Sequence, residues 1–60
     1  MWYYVKINGQ YVVSPRYGVC TLSSDKKGLF LFQTQDSAKV NTEHLVQSGD
    51  DVQILRTYNS

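Results

Sequence analysis

The chain has 60 residues, one cysteine, one histidine and a formal net charge of +1, with six Lys and Arg against five Asp and Glu. A chain this short forms one domain and buries only about 60% of the surface that its unfolded form exposes. Self-association is therefore a natural source of further buried area, and we expect a homodimer. A lone cysteine excludes an internal disulfide, while Cys20 and His44 are too few for a four-ligand metal site. We expect no cofactor.

The N-terminus and the hydropathy pattern bear on location. No Lys or Arg precedes an apolar run at the N-terminus, as it would in a signal peptide. No apolar stretch approaches the roughly 18 residues that a membrane-spanning helix needs. A single thiol is more typical of a reducing compartment than of a secreted protein. We therefore expect a cytoplasmic protein without a membrane partner.

Two strands joined by a tight turn open the chain. Residues 2–7 (WYYVKI) and 10–14 (QYVVS) are rich in the aromatic and β-branched residues that favour strands. Asn8-Gly9 lies between them and tolerates the positive φ that a type I′ turn requires at both central positions. Pro15 then breaks the pattern because it has no backbone N–H for a ladder. A third, short strand is predicted over residues 19–22 (VCTL).

The segment that follows admits two interpretations. Ser24 followed by Asp25 is a helix-start signal and favours a short helical turn over residues 25–31. That turn would contain Gly28, which costs about 1 kcal/mol relative to Ala. Residues 29–32 (LFLF) also fit a buried strand. We favour the helical turn and keep the strand as the alternative.

A helix is predicted over residues 35–47. Thr34 is its N-cap and Asp36 is favourably placed in its first turn. Gly49 is expected to form a left-handed C-terminal cap. The weakly apolar stripe on this helix consists of Ala38, Thr42, Leu45 and Val46.

A final strand is predicted over residues 51–58 (DVQILRTY), with Val52 and Ile54 on one side. The order β-β-β-α-β, with a possible helical turn before the main helix, indicates an α+β fold. A small antiparallel sheet would carry the helix on one face.

Alternation along the hairpin sorts its side chains into two sets. With the Asn8-Gly9 turn, one face holds Tyr3, Val5, Ile7 and Val12, and this set is predicted to form the core. The opposite set, here called the aromatic face, consists of Trp2, Tyr4, Lys6, Tyr11 and Val13, joined by Leu55 of the last strand. Trp and Tyr are enriched among interface hot spots, so we predict that this face binds a protein partner or a second copy. The alternative is plain sheet stabilisation, at about 0.2–1 kcal/mol for each cross-strand pair.

The residues that could carry chemistry favour structural roles. Asp50 and Asp51 are adjacent and would point to opposite faces of a strand, so they fit a solvated turn better than a shared catalytic site. His44 fits a surface position, and Cys20 fits a buried thiol with no nucleophile motif around it. Ser23-Ser24-Asp25 is better explained by capping. We therefore expect no enzymatic activity.

Three stretches carry a resemblance across nearly the whole chain: YYVKINGQYVVS, TLSSDKKGLFLF, and TQDSAKV followed by GDDVQIL. Their layout resembles short accessory proteins encoded by phages and prophages of Gram-positive bacteria. Asn41, Thr42 and Asn59 are more polar than that pattern, and Gly28 stands where a helix former would suit better. The resemblance implies a protein that binds a host protein and inhibits or modulates it, for host takeover or anti-defence, in the host cytoplasm.

Binding of single-stranded nucleic acid is the alternative function. The aromatic face would supply stacking platforms for bases. A basic edge would be formed by Arg16, Tyr17, Lys26, Lys27 and Lys39. The near-neutral net charge counts against this alternative, because phosphate binding needs clustered cations.

Overall fold

A computed structural model describes residues 1–16 and 18–57. Its elements are the strands β1 (Trp2–Ile7), β2 (Gln10–Arg16) and β3 (Val19–Ser23), the helix α1 (Gln35–Val40), a 3₁₀ helix (Glu43–Leu45) and the strand β4 (Val52–Thr57). All neighbouring strands are antiparallel, in the order β3-β2-β1-β4. The predicted α+β class and the order β-β-β-α-β are confirmed. Tyr58, the predicted end of the last strand, lies outside the described residues.

The hairpin turn has the predicted conformation and is tied to the last strand. Asn8 and Gly9 have φ of 52° and 81°, and Ile7 pairs with Gln10 across them. The Asn8 side-chain amide donates to Asp50 Oδ1 at 2.9 Å, and its carbonyl oxygen accepts from the Asp51 N–H at 2.9 Å. The Asn8 N–H donates to the Asp51 carbonyl at 2.8 Å. Asn therefore suits this position for two reasons: it tolerates positive φ, and its side-chain amide links the turn to the residues that precede β4.

The segment 28–32 lies against the open end of the hairpin. The hairpin register would place Tyr3 opposite Ser14, but the Tyr3 and Phe32 backbones exchange two hydrogen bonds of 2.8 Å. The Ser14 N–H instead donates to the Gly28 carbonyl at 2.9 Å. Two isolated antiparallel bridges result, Tyr3 with Phe32 and Val13 with Leu29.

The helical turn favoured over residues 25–31 is therefore wrong, and the strand alternative is closer. The side chain of Asp25 accepts from the Lys27 N–H at 3.1 Å and stabilises a turn rather than a helix start. Gly28 has φ of 79°, which an L-residue in a helix does not adopt. The open end of the hairpin needs backbone partners, and residues 28–32 supply them.

The helix begins as predicted but ends early. Thr34 Oγ1 accepts from the Ser37 N–H at 3.0 Å, and Asp36 lies in the first turn. Near the other end, the Asn41 side chain donates to the Ser37 carbonyl at 2.8 Å, and Thr42 Oγ1 donates to the Ala38 carbonyl at 2.7 Å. Polar side chains of this kind compete with the backbone for helical carbonyls.

The prediction of one helix over residues 35–47 is therefore wrong, since α1 stops at Val40 and the chain tightens into the 3₁₀ helix. Gly49 does not cap a helix. Its φ of 91° belongs to a turn in which the Asp50 N–H donates to the Gln47 carbonyl at 3.1 Å.

The core lies between the sheet and the helical segments. Its buried residues are Val5, Ile7, Val12, Phe32 and Ala38, and Tyr3, Leu45 and Val46 pack against them. Thr42 is buried too, with its hydroxyl bonded to the Ala38 carbonyl. The predicted core face of the hairpin is confirmed. The four residues predicted as the helix stripe also face the core, although Thr42, Leu45 and Val46 lie beyond the end of α1. Within residues 1–16 and 18–57, no helix is both long and apolar enough to cross a membrane.

Candidate protein-binding face

The strand register places the six predicted residues on one side of the sheet. Lys6 lies opposite Tyr11 in the β1–β2 pair, and Tyr4 lies opposite Leu55 in the β1–β4 pair. Residues directly opposite each other in antiparallel strands share a face. Alternation along β1 and β2 then adds Trp2 and Val13 to the same side.

Five of the six side chains are partly exposed, and the sixth is not. Those of Trp2, Tyr4, Lys6, Tyr11 and Leu55 are intermediate in exposure. Val13 is only 3% exposed, so it offers no surface to a partner. Leu29, which bridges to Val13 from the segment 28–32, lies beside it on the same face.

Leu29 is a member of the aromatic face that alternation along the hairpin did not predict. It is partly exposed and occupies the position that Val13 was expected to fill. The signal was present in the LFLF run: if that run is extended, Leu29 and Phe32 fall on opposite faces. Phe32 is indeed in the core.

The aromatic side chains are arranged against one another. The ring centroids of Tyr4 and Tyr11 are 6.3 Å apart with an interplanar angle of 33°, within the range of favourable ring pairs. Lys6 Nζ lies 5.2 Å from the centroid of the Tyr11 ring, close enough for a cation–π interaction. Side chains held in this way lose less rotamer freedom when a partner binds.

Both helical elements lie on the other side of the sheet. Ala38 of α1 is buried in the core, and Leu45 of the 3₁₀ helix packs against it. In the part of the chain that the structure describes, no helix therefore covers the aromatic face. Its Tyr hydroxyls, the Trp2 indole N–H and the Lys6 ammonium are hydrogen-bonding groups. The register places the polar Gln53, Thr57 and Ser23 on the same side of the sheet.

Asp50 has a structural role. The Gln47 N–H donates to Asp50 Oδ2 at 2.8 Å, and the Asn8 amide donates to Oδ1 at 2.9 Å. These donors, the Gln47 N–H first, hold the pKa of Asp50 below its ordinary value because they stabilise the carboxylate form. The Asp51 N–H donates to the Asn8 side-chain oxygen, and we call this set of hydrogen bonds among Asn8, Gln47, Asp50 and Asp51 the clamp. The two aspartates hold a turn, as their adjacency in the sequence predicts.

Cys20 and His44 line one open groove of about 580 Å³, together with Phe30 and Val40. Cys20 also packs against the core, which accounts for its partial burial. Across the described residues, no three His, Cys, Asp or Glu side chains come together as a metal site would require.

Two basic residues of the predicted nucleic-acid edge, Lys27 and Lys39, line different grooves. Lys27 lines a groove beside Val13 and Thr21. Lys39 lines a different groove, with Val46 and Val52. Tyr17 and the side chain of Arg16 lie outside the described part of the chain, so that portion of the predicted edge stays a prediction.

Comparison of the chain with protein-family models, with curated proteins and with solved structures finds no match in any of the three.

Proposed function

We propose that this chain is a small, non-catalytic protein-binding module, and that its aromatic face is the surface that binds. One observation supports this proposal most directly. The described helical elements pack on the core face, whereas Trp2, Tyr4 and Tyr11 on the aromatic face remain partly exposed. From the resemblance to phage accessory proteins, the partner is a host protein and the consequence of binding is its inhibition or modulation.

The chemistry of the face defines the partner surface. Tyr and Trp bring large apolar area at a low cost in side-chain entropy, and their polar groups pair with partner atoms at the rim. Lys6 lies over the Tyr11 ring and adds one positive charge. The complementary surface is therefore apolar, with a carboxylate placed to meet the Lys6 ammonium.

Nucleic acid fits this surface less well. Lys6 is the one cation among the described members of the aromatic face. Lys27 lines a groove beside Val13 at the margin of this face, and Lys39 lines a groove on the other side of the sheet. Stacking platforms for single strands are normally combined with a positively charged groove that follows the backbone. A protein partner accordingly explains the aromatic face better.

Capture from a lysate of a Gram-positive host, followed by direct binding, tests the proposal. The bait is the biotinylated chain, either wild type or Tyr4→Ser combined with Tyr11→Ser. The matched control is Val40→Ser, which truncates an exposed apolar residue of α1 on the other side of the sheet. We expect one host protein to be captured by the wild type and the control, and lost with the Tyr variant.

The captured protein, once purified, should bind the wild type in calorimetry and bind the Tyr variant at least about tenfold more weakly, a loss of about 1.4 kcal/mol. Equal affinity for the two would contradict the proposal. So would salt-sensitive binding of a fluorescent oligothymidine that the Tyr variant abolishes, since that result assigns the face to single-stranded nucleic acid.

A further inference from the structure

The strand β4 forms one edge of the sheet, and its bonding pattern shows which backbone groups point outwards. The Asn8 N–H donates to the Asp51 carbonyl, while the Tyr3 N–H donates to Phe32 on the other side of β1. Hydrogen-bonding direction alternates along a strand. Even-numbered residues of β1 therefore bond to β4, and Lys6 lies opposite Gln53. The backbone groups of Val52 and Ile54 are directed away from the sheet.

Among the described residues, this edge has few of the devices that usually prevent pairing. Natural edge strands are blunted by Lys, Pro, bulges or a covering element. Residues 52–55 (VQIL) contain no charge and no Pro, Arg56 is the one charged residue of β4, and all six residues of β4 pair with β1 without interruption. The opposite edge differs, because the pairing of β3 with β2 shifts register between Val13 and Arg16.

An apolar groove runs beside the β4 edge on the core side of the sheet. It has a volume of about 590 Å³ and is lined by Val46, Val52 and Ile54, with Lys39 and Glu43 among its polar residues. Val52 is 39% exposed and lies beside the apolar Val46 and Ile54 of this groove. A strand added at the edge would place every second side chain over this groove.

We infer that the occupant is a second copy of this chain, pairing β4 to β4 in antiparallel fashion about a two-fold axis at Gln53. In this register Val52 lies opposite Ile54 of the partner copy and Ile54 lies opposite its Val52, so apolar side chains meet on the groove side. Asp50 comes opposite Arg56 of the partner copy, and the two opposite charges attract. The contact is self-complementary and closes after two copies, as an isologous dimer requires.

The β4 dimer joins two four-stranded sheets into one of eight strands. Paired residues share a face, so the two aromatic faces lie side by side on the same surface. Self-association was expected from the sequence at the aromatic face. The proposed β4 dimer places self-association at a different surface. It leaves the aromatic face uncovered for the partner proposed above and does not depend on that partner.

Sedimentation velocity across a dilution series, from low micromolar concentration upwards, tests the dimer. Val52→Lys places a charge in the groove beside the edge and should weaken dimerisation at least about tenfold. Val40→Lys is the matched control, because Val40 is an exposed valine that does not line this groove. The control should dimerise like the wild type.

Cross-linking tests the register. Gln53→Cys in a Cys20→Ala background brings two thiols together across the two-fold axis, at a non-hydrogen-bonded pair with a Cα separation of about 4.5 Å. That separation suits a disulfide. Glutathione disulfide as oxidant should yield a covalent dimer with Gln53→Cys. The exposed Gln33→Cys control should remain monomeric on denaturing gels.

A monomer at every concentration would overturn the inference. So would a dimer that survives Val52→Lys, or one that is lost when Tyr4 and Tyr11 are both changed to Ser. Absence of the cross-link at residue 53 would overturn the stated pairing. None of these results depends on capture of a host protein, so the dimer and the proposed function fail or succeed separately.

Discussion

The two faces of the β1–β2 hairpin differ in their side chains and in whether helical elements pack on them, although the same two strands form both. On the core face, Val5 and Val12 are 0% exposed, beneath Ala38 of α1 and the half-buried Leu45 and Val46. On the aromatic face, Tyr4 and Tyr11 contact each other and remain partly exposed. Within residues 1–16 and 18–57, helical elements cover the first face and not the second.

Apolar composition alone does not identify which face of this sheet is the core. A buried face of a sheet needs a second layer, and this chain has only two short helical elements in its described part. These two elements are enough to bury one face of the sheet. The uncovered face is built from residues that combine apolar area with a polar group, which tolerate water and also suit an interface.

The largest expected effect comes from truncating the core face. Val5→Ala or Val12→Ala removes buried methyl groups and leaves a cavity, so each should lower the free energy of unfolding by about 1–3 kcal/mol. Val40→Ala is the control, because Val40 is 55% exposed. Denaturant unfolding measures all three variants. A loss as large for Val40→Ala as for Val5→Ala would mean that the burial difference does not govern stability.

The turn that sets the register should come next. Gly9 has φ of 81°, and a Cβ added there would have no other atom within 4 Å, so a side chain meets backbone strain rather than a clash. Gly9→Val should cost more than about 1 kcal/mol, since β-branched residues resist positive φ. Gly9→Asn should cost less, because Asn adopts that region more readily. Equal unfolding midpoints for the two variants would contradict the strain argument.

Local signals explain why these parts were predictable. The Asn8-Gly9 turn and alternation along β1 predict the hairpin, its register and the residues of its core face. The Thr34 cap likewise marks the start of α1. These features depend on residues within a few positions of one another. The burial of Val13 could not be predicted this way, because it depends on Leu29, which lies 16 positions away and belongs to a segment that joins the sheet through two isolated bridges.

The early end of α1 and the hydrogen bonds at Asp50 could not be predicted from local sequence signals either. Thr42 fits the apolar stripe of a long helix, and periodicity alone extends the helix through it. The hydroxyl instead bonds to the Ala38 carbonyl, and the chain tightens there. Asn8 and Asp50 are 42 positions apart, so their contact depends on the placement of β4 beside β1.

A pH-dependent effect is expected at the clamp that joins the turn to β4. The pKa of Asp50 is lowered in the folded chain by the Gln47 N–H and the Asn8 amide. Its contribution to stability is therefore present above the ordinary carboxylate pKa of about 3.9 and is lost as the pH falls towards the lower folded value. Unfolding curves between neutral and acid pH measure it.

Asp50→Asn should flatten that part of the pH dependence, whereas the control Asp51→Asn leaves the Asp50 carboxylate and its donors in place. An unchanged acid profile in Asp50→Asn would show that the clamp contributes no pH-dependent stability.

The smallest effect on stability is expected on the aromatic face. Tyr4→Ser combined with Tyr11→Ser removes one ring pair, worth about 0.2–1 kcal/mol, and one cation–π contact, worth about 0.5–1 kcal/mol at exposed positions. The variant should remain folded by circular dichroism and unfold cooperatively. Collapse of the fold in this variant would mean that the aromatic face is part of the core, and the two faces would then be alike.

The most direct test of the difference between the faces is a nuclear magnetic resonance titration of the isotope-labelled chain with the purified captured protein. Resonances of the Trp2 indole N–H and of the Tyr4 and Tyr11 rings should shift or broaden first, while the core methyls of Val5 and Val12 respond little. Perturbation centred on α1 and on the groove beside Cys20 and His44, with the rings of Tyr4 and Tyr11 unchanged, would contradict the assignment of the aromatic face as the binding surface.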